Sequence, residues 1–191
     1  MIIRPGVKAD VAAAAGLHAD QIREGFLSSL GPWFLILLYR RIVAWPRSFL
    51  VVAEEDGVVV GQAAATEDLG GLYRQFLLRD GAIAGVLAAP KLARQWRSVL
   101  ETARYPSTHD DLPAAELLAV AVDAGARGRG IGRALVLAAN AELGRRGVDD
   151  ARVVVAASNA PALGLYRSSG FRPSATIEVH ADTRSQVLTW C

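Results

Sequence analysis

The chain has 191 residues, enough for one domain with a substantial core, and combines 52% hydrophobic residues with a net charge of +2. So weak a basic bias, with no aromatic residues interleaved among basic clusters, argues against a nucleic-acid surface and suits an anionic cofactor. The longest uncharged stretch, between Glu24 and Arg40, is broken by Ser28, Ser29, Gly31 and Pro32 and falls short of a membrane span, and MIIRPGVKAD carries no signal-peptide pattern, so a cytoplasmic protein with no membrane partner is expected.

In chain order, Ile2 to Arg4 reads as a short strand and Ala9 to Phe26 as a helix with Val11, Ala14, Leu17 and Ile22 on one side. Ser28 to Pro32 interrupts it. A second, strongly apolar helix from Trp33 to Ala44 stops at Trp45-Pro46, because the residue before a proline is pushed out of the helical region. Phe49 to Glu54 and Val58 to Ala65 flank Glu55-Asp56-Gly57 and predict a hairpin. Residues 69–112 suggest an inserted helical element, with pieces over Tyr73 to Leu78 and over Ile83 to Ala103, the latter interrupted by Pro90. Their apolar faces carry Phe76, Leu77, Leu87, Leu92, Trp96 and Val99. Strand Glu116 to Val122, helix Ile131 to Arg146, strand Ala151 to Ala157 and helix Ala160 to Ser169 follow. Phe171 to His180 and Arg184 to Trp190 form a closing hairpin. The order is mixed α/β, and the unit from 116 to 157 predicts two parallel strands joined through a helix.

The most informative stretch is AELLAVAVDAGARGRGIGR, residues 115–133. An apolar strand runs into a loop of alternating arginines and glycines that opens a helix. Gly128, Gly130 and Gly132 allow a tight turn and close backbone approach. The N–H groups of Arg129, Ile131, Gly132 and Arg133 lie in that loop and in the first helical turn, where unpaired donors and the helix dipole favour phosphate. A P-loop is excluded because the only lysines are Lys8 and Lys91. A dinucleotide fingerprint fails because Arg133 stands where the third glycine belongs, and because Asp149 and Asp150 precede the next strand instead of ending it.

What remains is R-x-x-G-x-G, Arg127 to Gly132, flanked by LLAVAVD and IGRALVLAANAEL and followed by ASNAPALGLYRSSGF. This arrangement resembles the GNAT superfamily of acetyl-CoA-dependent N-acetyltransferases. The likeness covers residues 115–172 firmly, extends over 1–68, and is absent over 69–112. It implies a single GNAT domain over residues 1–191. Its mixed central sheet of six to seven strands is flanked by helices, with the helical insertion lying before the fourth strand. It also implies that the two parallel strands splay apart beyond a bulge, so that pantetheine slots between them.

The resemblance assigns the coenzyme A pyrophosphate to Arg127, Gly128, Arg129, Gly130, Ile131, Gly132 and Arg133. The backbone of Val120, Ala121 and Val122 is assigned to the pantetheine arm and the oxyanion, and Asn159 with Ala162 to the pantetheine arm. Asparagine ahead of Pro161 also suits a helix cap. Attack by an amine needs a group to take its proton, and Glu116 resembles the general-base glutamate of one branch of the family. Apolar neighbours Ala114, Ala115, Leu117 and Leu118 would raise its carboxyl pKa. Glu67, Asp68, His109 and Asp110 are alternative bases. Tyr166 resembles the family tyrosine that protonates or hydrogen-bonds the thiolate; a helical core tyrosine is the structural alternative.

No metal is expected, since His18, His109 and His180 lack ligand spacing and Cys191 is the single cysteine. The expected reaction is direct transfer from acetyl-CoA to a primary amine of a small molecule such as an amino sugar or amino acid. A protein or peptide N-acetyltransferase and a catalytically silent acyl-CoA-binding sensor are the alternatives. A monomer or homodimer is expected.

Overall fold

The computed structural model describes residues 1–22, 30–92, 112–180 and 183–191. Among them runs a mixed sheet of seven strands in the order β1-β2-β3-β4-β5-β7-β6. The strands are β1 (Ile2–Pro5), β2 (Ser48–Glu55), β3 (Val58–Thr66), β4 (Glu116–Val122), β5 (Ala151–Ala156), β6 (Arg172–His180) and β7 (Thr183–Trp190). Neighbouring strands are antiparallel except β4 and β5, the parallel pair expected from the strand–helix–strand unit.

Among the described residues, five helices cover the sheet: α1 (Val11–Gln21), α2 (Pro32–Ala44), α3 (Leu69–Leu92), α4 (Ile131–Arg145) and α5 (Ala160–Ser168). Alternation along the strands sorts apolar side chains onto two faces. On β2, Phe49, Val51 and Ala53 pack with α4 and α5, whereas Leu50 and Val52 pack with α1, α2 and α3. Both faces are covered, so β2 reads as a nearly continuous apolar run. On β3 the residues are small, and this brings α4 close: a Cβ on Gly61 would lie 3.0 Å from Leu135 and 3.3 Å from Ile131. The start of α4 is thereby pressed against β3.

The predicted hairpin forms, with Asp56 and Gly57 both at positive φ (49° and 78°). The first long helix is shorter than its periodicity predicts, ending at Gln21, because Ile22 leaves the helical region (φ −113°, ψ 77°). Residues 23–26, over which the periodicity continues that helix, lie outside the described residues.

The start of the 69–112 insertion differs from its sequence reading. One helix, α3, runs across Gly81 and Pro90 where two pieces were expected. Leu69, Leu72, Phe76 and Ala84 lie buried along one face, with Asp80 between them paired to Arg41 at 2.8 Å. Phe76 packs edge to face with Phe34, ring centroids 5.2 Å apart. Burial of this stripe outweighs the cost of about 1 kcal/mol for a helical glycine. Leu77, expected on an apolar face, points to solvent with 64% exposure, because it neighbours Phe76 and so sits about 100° around the helix from it. Trp96, Val99, His109 and Asp110 lie outside the described residues, as do the side chains of Leu87 and Leu92.

Candidate active site

The two parallel strands meet at a single rung, Glu116 opposite Arg152. Beyond it β4 carries a bulge. Ala65 pairs with Leu117 and Ala64 with Ala119, so Leu118 is the extra residue, and the strand bends there. Past the bulge, β4 and β5 separate around a cleft of about 1010 Å³. Leu118 to Val120 line one wall, Val153 to Ala156 the other, and Asn159, Ala162 and Tyr166 of α5 close the side. Ala121 is buried, and Val122, at the end of β4, packs against the core under α4.

The arginine–glycine loop forms one end of this cleft. A 3-10 turn, Ala124–Ala126, is fixed by Asp123, whose Oδ1 accepts from the Gly125 N–H at 2.9 Å. Arg127 follows in extended conformation, and Gly128 (φ 76°) and Gly130 (φ 79°) then both take left-handed backbone. That conformation costs other residues roughly 1–2 kcal/mol. Gly130 is the N-cap of α4, and the first intrahelical bond is Ala134 N–H to Gly130 C=O at 3.0 Å. The N–H groups of Ile131, Gly132 and Arg133 precede it, and a Cβ on Gly128 or Gly130 would meet nothing within 4 Å. This donor-rich, open turn fits a diphosphate.

The loop arginines are engaged at the surface. Arg127 donates to Gln21 Oε1 of α1 at 2.5 Å, and Arg129 makes a two-pronged ion pair with Glu55 at 2.7 and 2.9 Å. Arg133 Nε donates to the Ser168 carbonyl at 3.3 Å.

At α5, Asn159 Oδ1 accepts from the Ala162 N–H at 3.1 Å, so it caps the helix while lining the cleft. Tyr166 is buried and packs edge to face with Phe171 at 5.6 Å. Burial, and then the charge of Glu116, push its phenol pKa above the usual value.

Glu116 is buried at the rung, and its Oε2 accepts from Arg152 Nε at 2.7 Å. Burial raises its carboxyl pKa, partly offset by the charge and hydrogen bond of Arg152. Glu116 lies below the cleft and not among its lining residues, and the alternative bases Glu67 and Asp68 do not line it either. Glu67 pairs with Arg146 at 3.0 Å, while Asp68 pairs with Arg47 at 2.9 Å and accepts from the Gly71 N–H at 2.8 Å.

Sequence reasoning missed Arg152, and also Asp20, Gln21 and Ile22, which line the cleft from the end of α1. A signal for Arg152 exists, since it is the only charged residue in the strand ARVVVA. Nothing local marks the end of α1, which meets the loop only through the tertiary fold.

The model of the Acetyltransferase (GNAT) family matches residues 19–171. No curated protein matches the chain significantly. Among solved structures, a ribosomal-protein-alanine N-acetyltransferase from Brucella melitensis is similar at 21% identity, covering 99% of this chain and 98% of its own, with a TM-score of 0.65. The ribosomal-protein-S18-alanine N-acetyltransferase of Escherichia coli is similar at 18% identity, covering 99% and 92%, with a TM-score of 0.63. The PaiA N-acetyltransferase of Thermoplasma acidophilum, solved in complex with coenzyme A, is similar at 12% identity, covering 99% and 97%, with a TM-score of 0.63. At these identities the likeness is one of fold. The family match spans most of the chain, which therefore belongs to the GNAT acetyltransferases and is an acetyl-CoA-dependent acyltransferase.

Proposed function

From GNAT membership as the premise, we propose that this enzyme acetylates a primary amine of a small molecule, with Glu116 as base, Tyr166 as acid and residues 127–133 as the diphosphate cradle. The observation that supports this reading best is the fork between β4 and β5. It holds the two strands together at one rung and opens into a cleft reaching from the arginine–glycine loop to Tyr166. The bound coenzyme supplies an acetyl thioester.

The residues of the chain divide the remaining work. Backbone N–H groups at the start of α4 and the loop turn hold the diphosphate. The edge of β4 beyond the bulge and the capping Asn159 align the pantetheine arm. Glu116, its pKa raised by burial, takes the proton that the attacking amine must lose. Tyr166, its pKa raised by burial and by Glu116, stays protonated at neutral pH, the form able to donate to the departing sulfur.

The acceptor approaches beside the first turns of α3. Leu69 N–H donates to the Ala114 carbonyl at 3.1 Å, which anchors this helix next to the start of β4. The Tyr73 phenol is near enough to Glu116 and Arg152 to feel both charges. Such a cover favours a compact amine. A peptide N-terminus is the second reading, favoured by the likeness in fold to two ribosomal-protein-alanine N-acetyltransferases.

The test is thiol release from acetyl-CoA with glucosamine, alaninamide and a peptide beginning with alanine. Turnover of the small amines in preference to the peptide is expected. Preference for the peptide selects the second reading, and absence of turnover with every amine, by a folded protein that binds acetyl-CoA, overturns the catalytic proposal.

A further inference from the structure

We propose that Arg152 is a positioning residue for catalysis, holding the Glu116 carboxyl in a fixed orientation at the floor of the fork. The inference rests on the reading of Glu116 as base and adds to it a residue outside the two sequence signatures. Arg152 joins the strands twice. Its backbone N–H donates to the Ala115 carbonyl at 2.9 Å, and its Nε donates to Glu116 Oε2 at 2.7 Å. Both side chains are enclosed, with 3% and 11% exposure.

Stability is a weak reason for such a pair. Desolvating two charges offsets their attraction, and replacing both by apolar residues of similar volume is often neutral or stabilising. The rest of β5 is such an apolar run, Val153 to Ala156. What the pair provides is direction. With Oε2 committed to Arg152, Oε1 lies outside that bond and is the oxygen left to accept a proton.

Among the described residues, four groups face Glu116. Thr66 of β3 stands opposite it in the sheet, Tyr166 of α5 and Tyr73 of α3 lie within electrostatic reach, and Arg152 is the only one of these carrying a full positive charge. Both phenols stay neutral near pH 7, since burial and Glu116 raise their pKa values. Burial pushes the carboxyl pKa up, and the charge and hydrogen bond of Arg152 oppose this.

The experiment compares pH profiles of kcat/KM for acetyl transfer by wild type, Arg152→Gln, Arg152→Lys and Glu116→Gln. The acceptor is whichever of glucosamine, alaninamide and the alanine peptide turns over fastest. Loss of a cation at hydrogen-bond distance should move the acidic limb of Arg152→Gln up by about one pH unit or more. Coenzyme A affinity should stay within about twofold of wild type. Arg152→Lys keeps the charge without the planar fork, so its limb should stay in place while kcat falls several-fold. An unmoved limb in a folded Arg152→Gln enzyme overturns the proposal. If that variant does not fold, an Arg152→Lys enzyme with wild-type kcat overturns it instead. Wild-type activity in Glu116→Gln removes the base reading itself, whereas an inactive Glu116→Gln beside an unmoved limb leaves the base and removes only the role of Arg152.

Discussion

His18 lies in the last turn of α1, buried, with its Nδ1 3.0 Å from the Tyr39 hydroxyl, which also accepts from Gln62 Nε2 at 2.8 Å. This polar chain crosses the core under α1 and α2, and burial pushes the His18 pKa down from 6.5 to about 4. A histidine held below its unfolded value binds its proton more readily in the unfolded chain. Its contribution is therefore present above pH 6.5 and is lost as pH falls toward 4. At 1.36 kcal/mol per decade the full difference is about 3 kcal/mol, of which about 2 kcal/mol is lost between pH 7 and pH 5. Urea unfolding at both pH values, for wild type and His18→Gln, isolates the effect because the other titrating groups are common to the two proteins. Wild type should lose about 2 kcal/mol more than the variant on acidification. Equal losses would refute the assignment of a neutral, buried His18 and with it the polar bridge that orients the end of α1.

The remaining predictions concern the cleft. Tyr166→Phe should lower kcat by roughly 10²-fold, within the range of general-acid contributions, while acetyl-CoA affinity measured by calorimetry stays near wild type. Gly130→Glu, at a position with φ 79°, should abolish acetyl-CoA binding through backbone strain and repulsion of phosphate, read by the same titration on a protein shown to be folded by circular dichroism. Glu55→Gln should release Arg129 from its surface ion pair and tighten acetyl-CoA binding by no more than about fivefold, since exposed pairs are worth about 0–1 kcal/mol.

The sequence legible at the cleft is the part whose geometry is local. Gly128 and Gly130 announce positive φ by residue type, and Asn159 before Pro161 announces a cap, so the loop and the start of α5 can be placed from spacing alone. The Glu116–Arg152 rung was out of reach, because it depends on the parallel register of two strands separated by a helix. Local signals likewise divide α3 in two. Gly81 and Pro90 are local signals against a helix, whereas the stripe of Leu69, Leu72, Phe76 and Ala84 gains its stabilisation only from the core formed with α2. The approach of Gln21 to Arg127, 106 residues away, leaves no trace in local periodicity.

The most direct measurement is calorimetric titration of the protein with acetyl-CoA, with ATP and NADH as controls. Saturable binding of acetyl-CoA, abolished in Gly130→Glu and absent for NADH and ATP, is the result that the cleft and its loop predict. A folded protein that does not bind acetyl-CoA would contradict the assignment of residues 127–133 to the coenzyme.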